Sequence, residues 1–231
     1  MVAVVPFASV SMHSPDLVVR CVGALKEKGV EKFVVPCGSK RCAESLAGLS
    51  GRKDASVTVL AEPIGNGTPA LSGLLQSVVG HQFLLGEKTL LFCPPWWIPN
   101  DRYRVNEFFS YALNEDVVSV MLAGWYWSMC SGKMNYVPQD CPYAGCVAVR
   151  SWYHCEKHTF NIDAPQVIGV KELFGIGVLN DMSEDNGMTR MMQTNYWGKD
   201  PINMVLVPVS TGPMFDDVLG TDPAYRPEPN S

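Results

Sequence analysis

The sequence is poor in charged residues, and those present carry a small negative excess. Asp, Glu, Lys and Arg make up 18% of the 231 residues, and 18 Lys and Arg against 23 Asp and Glu give a formal charge of −5. General electrostatic binding to duplex nucleic acid or to an anionic membrane needs an excess of cations. We therefore expect neither a nucleic-acid partner nor attachment to an anionic membrane.

Long hydrophobic runs are also missing. The most apolar stretch, residues 89–99, contains prolines and is shorter than the roughly 20 residues that a membrane-spanning helix needs. No cation precedes Arg20, so the start of the sequence lacks the basic region of a secretory signal. We expect a cytoplasmic protein without a membrane span.

The eight cysteines contain no CxxC pair, and their spacings do not resemble a small disulfide framework. Buried free thiols are the preferred interpretation. A structural zinc site is the alternative at two pairs that each have four intervening residues, Cys37/Cys42 and Cys141/Cys146.

Two histidines near a cysteine form another candidate metal site. His154 and His158 would lie on one face of a helix, with Cys155 beside them, and all three are zinc-ligand types. The spacing places no obvious third ligand on the face that carries the two imidazoles. We favour a surface helix over a metal site here.

What the sequence does contain is enough apolar residues for a core, 47%, and a regular alternation of strand and helix patterns in its first half. Apolar runs predict strands at residues 2–7, 30–36, 57–61, 89–93 and 117–123. The helix patterns lie between Ser14 and Gly29, at 40–49, through 71–78, and at 100–112, where Asn100-Asp101 would cap the helix. This alternation predicts an α/β domain with a mostly parallel central sheet flanked by helices.

The second half is less regular, with a short apolar run at 144–149 and a predicted strand at 204–208. Beyond residue 208, prolines accompany aspartates. We therefore predict one domain over residues 1–208. Residues 209–231 are expected to be an acidic, Pro-rich tail that lies on the surface or is disordered.

The loops after the predicted strands hold the residues of chemical interest, because α/β proteins bind ligands at the carboxyl ends of their strands. Strand one ends in Val4-Val5-Pro6, and strand two ends in Val34-Val35-Pro36-Cys37-Gly38-Ser39. Glu62, Gly65 and Gly73 follow strand three, and Cys93-Pro94-Pro95-Trp96 followed by Ile98-Pro99-Asn100-Asp101 ends strand four. An acidic pair, Glu184-Asp185, precedes a later helix pattern.

Taken in this order, the segments resemble family 2 glycosyltransferases of the GT-A fold, over residues 2–208. The resemblance implies a GT-A-like nucleotide-diphospho-sugar transferase fold. It also implies transfer of a sugar from a nucleotide-sugar donor to a hydroxyl group of a carbohydrate acceptor. The implied catalytic residues are Glu184 and Asp185, with Asp185 as the base. An N-cap role is the alternative for Asp185.

The donor-binding residues expected from this comparison follow the first three strands: Pro6, Gly38, Ser39, Lys40, Arg41, Glu62 and Gly65. Lys40 and Arg41 would meet the donor diphosphate where a helix begins, and a solvated helix start is the alternative. Four tryptophans, Trp96, Trp97, Trp125 and Trp127, would stack on sugar rings. Core packing is the alternative for these indoles.

The departures from the family concern its acidic motifs. Pro36 and Cys37 stand where the family has the Asp that holds the base, and Cys93-Pro94-Pro95-Trp96 stands where it has the metal-binding Asp-x-Asp. A hard divalent ion needs oxygen ligands, and only Asp101 lies near. We therefore expect Mn²⁺ only if Asp101 substitutes for the missing motif.

Two further hypotheses remain. Loss of both acidic motifs favours a catalytically inactive GT-A-like protein that serves as a binding or scaffold module. A sugar-1-phosphate nucleotidyltransferase would have a similar fold, but its Gly-rich signature is missing between Pro6 and Ser14.

Overall fold

The centre of the fold is a mixed β-sheet. The structure is a computed structural model, and it describes residues 1–7, 14–50, 56–61, 78, 86–114, 117–124, 141–150, 164–170 and 204–219. Its strands in chain order are β1 (Val2–Val4), β2 (Lys32–Cys37), β3 (Ser56–Ala61), β4 (Thr89–Phe92), β5 (Trp97–Pro99), β6 (Val117–Met121), β7 (Cys146–Arg150), β8 (Gln166–Gly169), β9 (Met204–Pro208) and β10 (Phe215–Asp217).

Within the described ranges, eight strands form one sheet in the order β3-β2-β1-β4-β8-β6-β9-β7, while β5 and β10 form a small separate sheet. The helices of these ranges are α1 (Pro15–Glu27), α2 (Lys40–Ser45) and α3 (Ala47–Ser50), with 3-10 turns at Val105–Phe108 and Tyr111–Leu113. None of the described helices combines the length and apolar character needed to cross a membrane.

The strand directions define one edge of the sheet at which most of its strands end. β1 to β4 run parallel to one another, β8 runs against β4 and β6, and β9 is parallel to β6 and antiparallel to β7. Strands β1–β4, β6 and β9 therefore all end on one side of the sheet, which we call the carboxyl edge, and β7 and β8 begin there. The predicted α/β class with a mostly parallel sheet is confirmed.

Helix α1 follows from its local sequence. The Ser14 hydroxyl accepts a hydrogen bond from the Asp16 amide at 3.2 Å, and Pro15 occupies the first helical position. After the helix, Gly29 has a φ of +88°, which glycine adopts without steric cost. The helix predicted between Ser14 and Gly29 is confirmed.

The sheet buries side chains on both faces, which explains why its first strands are continuous apolar runs. Val18, Cys21, Val22 and Leu25 of α1 pack in one core with Ala3 of β1. Since side chains alternate along a strand, the neighbours of Ala3 face the other side. We call the two sides the α1 face and the opposite face.

Strand β6 departs from strict alternation. A register shift between Val117 and Ser119 brings both Val117 and Val120 into the core on the α1 face. Ser119, adjacent to Val120, therefore lies on the opposite face, where it is fully buried.

The small sheet joins the chain beyond residue 208 to the domain, which corrects the predicted tail. β10 pairs with β5, and the Met214 amide donates to the Leu122 carbonyl at 3.0 Å. Met214 and Phe215 have no exposed surface. Proline and aspartate suggested a solvated segment, but burial of Met214 and Phe215 makes residues 209–219 part of the packed structure. Residues 220–231 lie outside the described ranges.

Two helix predictions are wrong in detail. Residues 100–112 form two 3-10 turns instead of one α-helix capped at Asn100. The Asn100 side chain accepts from the Arg102 amide at 2.9 Å, and such a local bond competes with helix formation. It also donates to the distant Pro213 carbonyl at 3.0 Å. The helix predicted at 40–49 is divided into α2 and α3 at Leu46. Except for Val78, the helix predicted through 71–78 lies outside the described residues.

Candidate functional site at the carboxyl edge

The ends of β1 and β2 form one continuous stretch of this edge. The Phe7 amide donates to the Pro36 carbonyl at 2.9 Å, and the Gly38 amide donates to the Phe7 carbonyl at 3.0 Å. These bonds join Phe7, the residue after Pro6, to the start of the turn that contains Gly38 and Ser39. A role for Pro6, Gly38 and Ser39 in donor binding stays a prediction.

Ser39 ends this turn and caps α2. Its hydroxyl accepts from the Cys42 amide and donates to the Cys42 thiol, both at 3.2 Å. Cys37, before the turn, is buried, and this desolvation raises the pKa of its thiol to about 12. A neutral thiol at Cys37 cannot replace the carboxylate that would hold a nucleoside base.

The two predicted cations follow Ser39 on α2. The Lys40 side chain is 87% exposed, and its Nζ lies 3.8 Å from the Glu44 carboxylate one helical turn on. Arg41 is also exposed. Both cations thus lie at the carboxyl edge in water, where an ion pair such as Lys40–Glu44 contributes little. A role for Lys40 and Arg41 in diphosphate binding stays a prediction.

The end of β4 is packed with sulfur and apolar side chains. The Cys93 and Cys21 sulfurs lie 3.8 Å apart, and both lie within hydrogen-bond distance of the Trp97 carbonyl oxygen, at 3.6 and 3.5 Å. Burial, with the Cys21 hydrogen bond as a smaller cause, raises the pKa of Cys93 well above its usual value. Cys93 is therefore a neutral thiol within the core.

This chemistry does not fit the divalent metal of the family. The side chains of Cys93, Pro94 and Pro95 offer no oxygen, and Asp101 is exposed on the turn after β5. In the described part of the chain, no three His, Cys, Asp or Glu residues are grouped so that they could hold a metal ion. We therefore assign no step to a metal.

The two described tryptophans pack inside the protein, which corrects their predicted role. Trp97 is 1% exposed and Trp96 is 7% exposed, and both belong to the hydrophobic core. A sugar ring stacks only on an accessible indole face. Trp96 and Trp97 are thus core residues in this conformation, as the alternative interpretation had it.

The cysteines of the described ranges agree with the predicted free thiols. All six are free: Cys21, Cys37, Cys42, Cys93, Cys141 and Cys146. Five of these are buried, and burial raises the pKa of Cys146 to about 12. Cys130 and Cys155 lie outside the described residues.

Several other predicted site residues also lie outside the described residues. They are Glu62, Gly65, Trp125, Trp127, Glu184, Asp185, and the candidate metal residues His154 and His158. Their roles stay predictions.

One residue at this edge was not found by sequence analysis. Gln166 begins β8, pairs with Phe92 of β4 and Met121 of β6, and has no exposed surface. Neither its Oε1 nor its Nε2 has a hydrogen-bond partner. The signal in the sequence was a single amide before the apolar run Val167-Ile168-Gly169-Val170, because one polar residue in a buried strand needs a partner.

No family model and no curated protein sequence matches the chain. Solved structures do match it in fold. An apo UDP-glucose pyrophosphorylase aligns with a TM-score of 0.55 and 11% identity, covering 94% of this chain and 92% of its own. A mannose-1-phosphate geranyltransferase from Thermus thermophilus gives 0.57 and 12%, covering 100% and 80%. A Pyrobaculum calidifontis mannosyltransferase in complex with GDP-mannose and Mn²⁺ gives 0.52 and 12%, covering 89% and 55%.

These similarities establish the fold and no more, because the identities are only 11–12%. The chain has the nucleotide-diphospho-sugar transferase fold, as predicted. Membership of glycosyltransferase family 2 stays a prediction.

Proposed function

We propose that the protein is a nucleotide-sugar-dependent transferase that binds its donor at the carboxyl edge and transfers the sugar to a hydroxyl group of a carbohydrate acceptor. The observation that supports this most is the likeness in fold to a UDP-glucose pyrophosphorylase, over 94% of the chain, and to a mannosyltransferase in complex with GDP-mannose, over 89%. The strand order supports a donor site at this edge, because it brings the loops after β1, β2 and β4 together there.

The donor would lie across the ends of β1 and β2. The hydrogen bond between the Gly38 amide and the Phe7 carbonyl supports this position, because a narrow turn with a glycine lets a ligand approach the backbone closely. Lys40 and Arg41, exposed just beyond the turn, would provide positive charge for the diphosphate. The metal that usually neutralises this charge has no described ligand set.

For the chemical step we propose inversion, as in family 2 enzymes. The Asp185 carboxylate takes the proton of the acceptor hydroxyl, and the oxygen bonds to the anomeric carbon as the bond from that carbon to the diphosphate oxygen breaks. The nucleoside diphosphate leaves with the bonding electrons, stabilised by Lys40 and Arg41. Glu184, beside Asp185, belongs to the same acidic pair.

An inactive binding module is the second candidate, and the end of β4 favours it. A buried thiol pair and two prolines occupy the place of a carboxylate motif. Such a protein would still bind a nucleotide or a sugar without turning it over.

The test is hydrolysis and transfer of a panel of UDP- and GDP-sugars by the wild type and by Asp185→Asn at matched folded concentration. We expect Asp185→Asn to lower turnover by about 10² to 10⁴ fold, because it removes the general base. Glu107→Gln, an exposed acid in a 3-10 turn, is the matched control and should retain full turnover.

Three results would contradict parts of this proposal. Turnover that survives Asp185→Asn excludes Asp185 as the base. Binding of nucleotide sugars without any turnover supports the inactive module. Release of pyrophosphate from a sugar 1-phosphate and a nucleoside triphosphate would indicate nucleotidyl transfer instead. If no donor reacts and no nucleotide changes the melting temperature, the proposed function fails.

A further inference from the structure

Gln166 is the buried polar side chain at the centre of the carboxyl edge. It lies between Phe92 and Met121 at the carboxyl ends of β4 and β6, and all three residues have no exposed surface. Residues paired across strands share a face of the sheet. The three therefore lie on the opposite face, away from α1.

The carboxamide of Gln166 is unsatisfied in both of its functions. Neither Nε2, a donor, nor Oε1, an acceptor, has a hydrogen-bond partner. Because the residue is fully enclosed, bulk water does not reach the carboxamide. An amide in this situation destabilises the fold, whereas an apolar side chain of the same length would not. A ligand that offers one donor and one acceptor would remove this cost.

The position along the edge indicates which part of a ligand would reach Gln166. The donor-binding turn after β2 and the start of β8 are three strand spacings apart, roughly 14 Å. A nucleoside whose base lies at β1 and β2 therefore needs its ribose and its diphosphate together to bridge this gap, because a diphosphate alone is too short. The sugar at the far end of the diphosphate would then meet β8.

We propose that Gln166 binds the hydroxyl groups of the sugar carried by the nucleotide. Two neighbouring hydroxyls supply one donor and one acceptor, which is what the carboxamide lacks. This assignment rests on the proposed function. Since Gln166 is enclosed, the sugar must displace neighbouring side chains to reach it, so a nucleotide sugar should associate more slowly than the bare nucleotide.

The test compares Gln166→Met with the wild type, because methionine has nearly the same length and no hydrogen-bonding amide. The probes are GDP-mannose and UDP-glucose, with GDP and UDP as ligands that lack the sugar, and the readouts are Kd by calorimetry and the melting temperature. We expect Gln166→Met to weaken nucleotide-sugar binding about tenfold, through lost hydrogen bonds. Its Kd for GDP and UDP should not change, and its melting temperature without ligand should be equal or higher.

Ser119→Ala is the matched control. Ser119 is also fully buried on the opposite face with an unpartnered hydroxyl, but it pairs with Ile168, two residues further from the carboxyl edge. Its removal should leave the affinity for all four probes unchanged. If Gln166→Met does not fold, Gln166→Leu provides the same comparison.

The outcomes separate the two proposals. If the wild type binds all four probes and Gln166→Met binds them equally well, the role of Gln166 is wrong while the proposed function stands. If Gln166→Met melts at a much lower temperature with unchanged affinities, the amide is structural. If the wild type binds none of the probes, both proposals fail.

Discussion

Replacing Phe215 with alanine tests whether the chain beyond residue 208 belongs to the domain. Phe215 is fully buried, and its ring lies edge-on to that of Tyr103 with centroids 5.7 Å apart. Truncating a buried phenylalanine costs about 3–5 kcal/mol, of which an aromatic pair contributes about 0.5–1.5. We expect Phe215→Ala to lower the free energy of unfolding by about 4 kcal/mol, as measured by urea denaturation.

The control lies four residues further along the same segment. Leu219 is 44% exposed, so Leu219→Ala should change the free energy of unfolding by less than about 0.5 kcal/mol. A loss below about 1 kcal/mol for Phe215→Ala would refute the reasoning, because a side chain in a solvated tail makes no packing contacts whose removal would destabilise the fold.

Three more predictions concern stability and thiols. Gly145→Ala should lower the free energy of unfolding by about 1–3 kcal/mol in thermal unfolding, because Gly145 has a φ of +74° and a Cβ there would contact the Ser210 hydroxyl. Gly48→Ala, in α3 with open space around it, is the control and should not lower it. Equal effects of the two substitutions would contradict this prediction. Burial raises the pKa of Cys37 and of Cys146 to about 12, above the roughly 8.5 of an unfolded thiol. Between these pH values the native state binds more protons than the unfolded state. The free energy of unfolding should therefore fall as the pH rises from about 8.5 towards 12. The urea midpoint should be lower at pH 10 than at pH 8, with a smaller fall in Cys37→Ala; equal midpoints would disprove it. Thiol counting on denatured protein should find all eight cysteines, and two or more missing thiols would indicate disulfides. In the native protein, half-buried Cys141 should react with a thiol reagent before buried Cys21 and Cys93.

Much of the fold could be predicted because its local signals agree with its tertiary structure. The Ser14-Pro15-Asp16 cap fixes the start of α1, and continuous apolar runs mark strands buried on both faces. The strand predicted at 204–208 coincides with β9 (Met204–Pro208). In α1 and β9 the tertiary contacts are compatible with the secondary structure that the local sequence predicts.

The failures occurred where side chains or distant strands decide the structure. Asn100 predicted a helix cap, but its amide bonds to the Pro213 carbonyl, more than 100 residues away, and 3-10 turns follow. Asp216 and Asp217 suggested a solvated tail, although β10 needs β5 as its partner. The sequence around residues 215–217 alone does not show that this segment pairs with a strand far away in the chain.

The candidate site was predicted less completely than the fold. The segments that contain Pro6 and Gly38 do adjoin, through the hydrogen bond from the Gly38 amide to the Phe7 carbonyl, because the ends of neighbouring parallel strands lie side by side. Trp96 and Trp97 were expected to stack on sugar rings, but they pack in one core with residues of α1 and β10. Gln166 could not be predicted as a site residue, because the sequence does not show that its amide, between β4 and β6, lacks a hydrogen-bond partner.

Nucleotide-sugar binding with and without metal tests the central claim most directly. Calorimetry would titrate GDP-mannose and UDP-glucose into the wild-type protein in EDTA, and again in Mn²⁺. We predict saturable binding of at least one of them, with the same Kd in both buffers, because the described end of β4 has no oxygen ligands for a divalent ion. Binding that requires Mn²⁺ and is lost in Asp101→Ala would contradict the metal-free site, and no binding in either buffer would contradict the function.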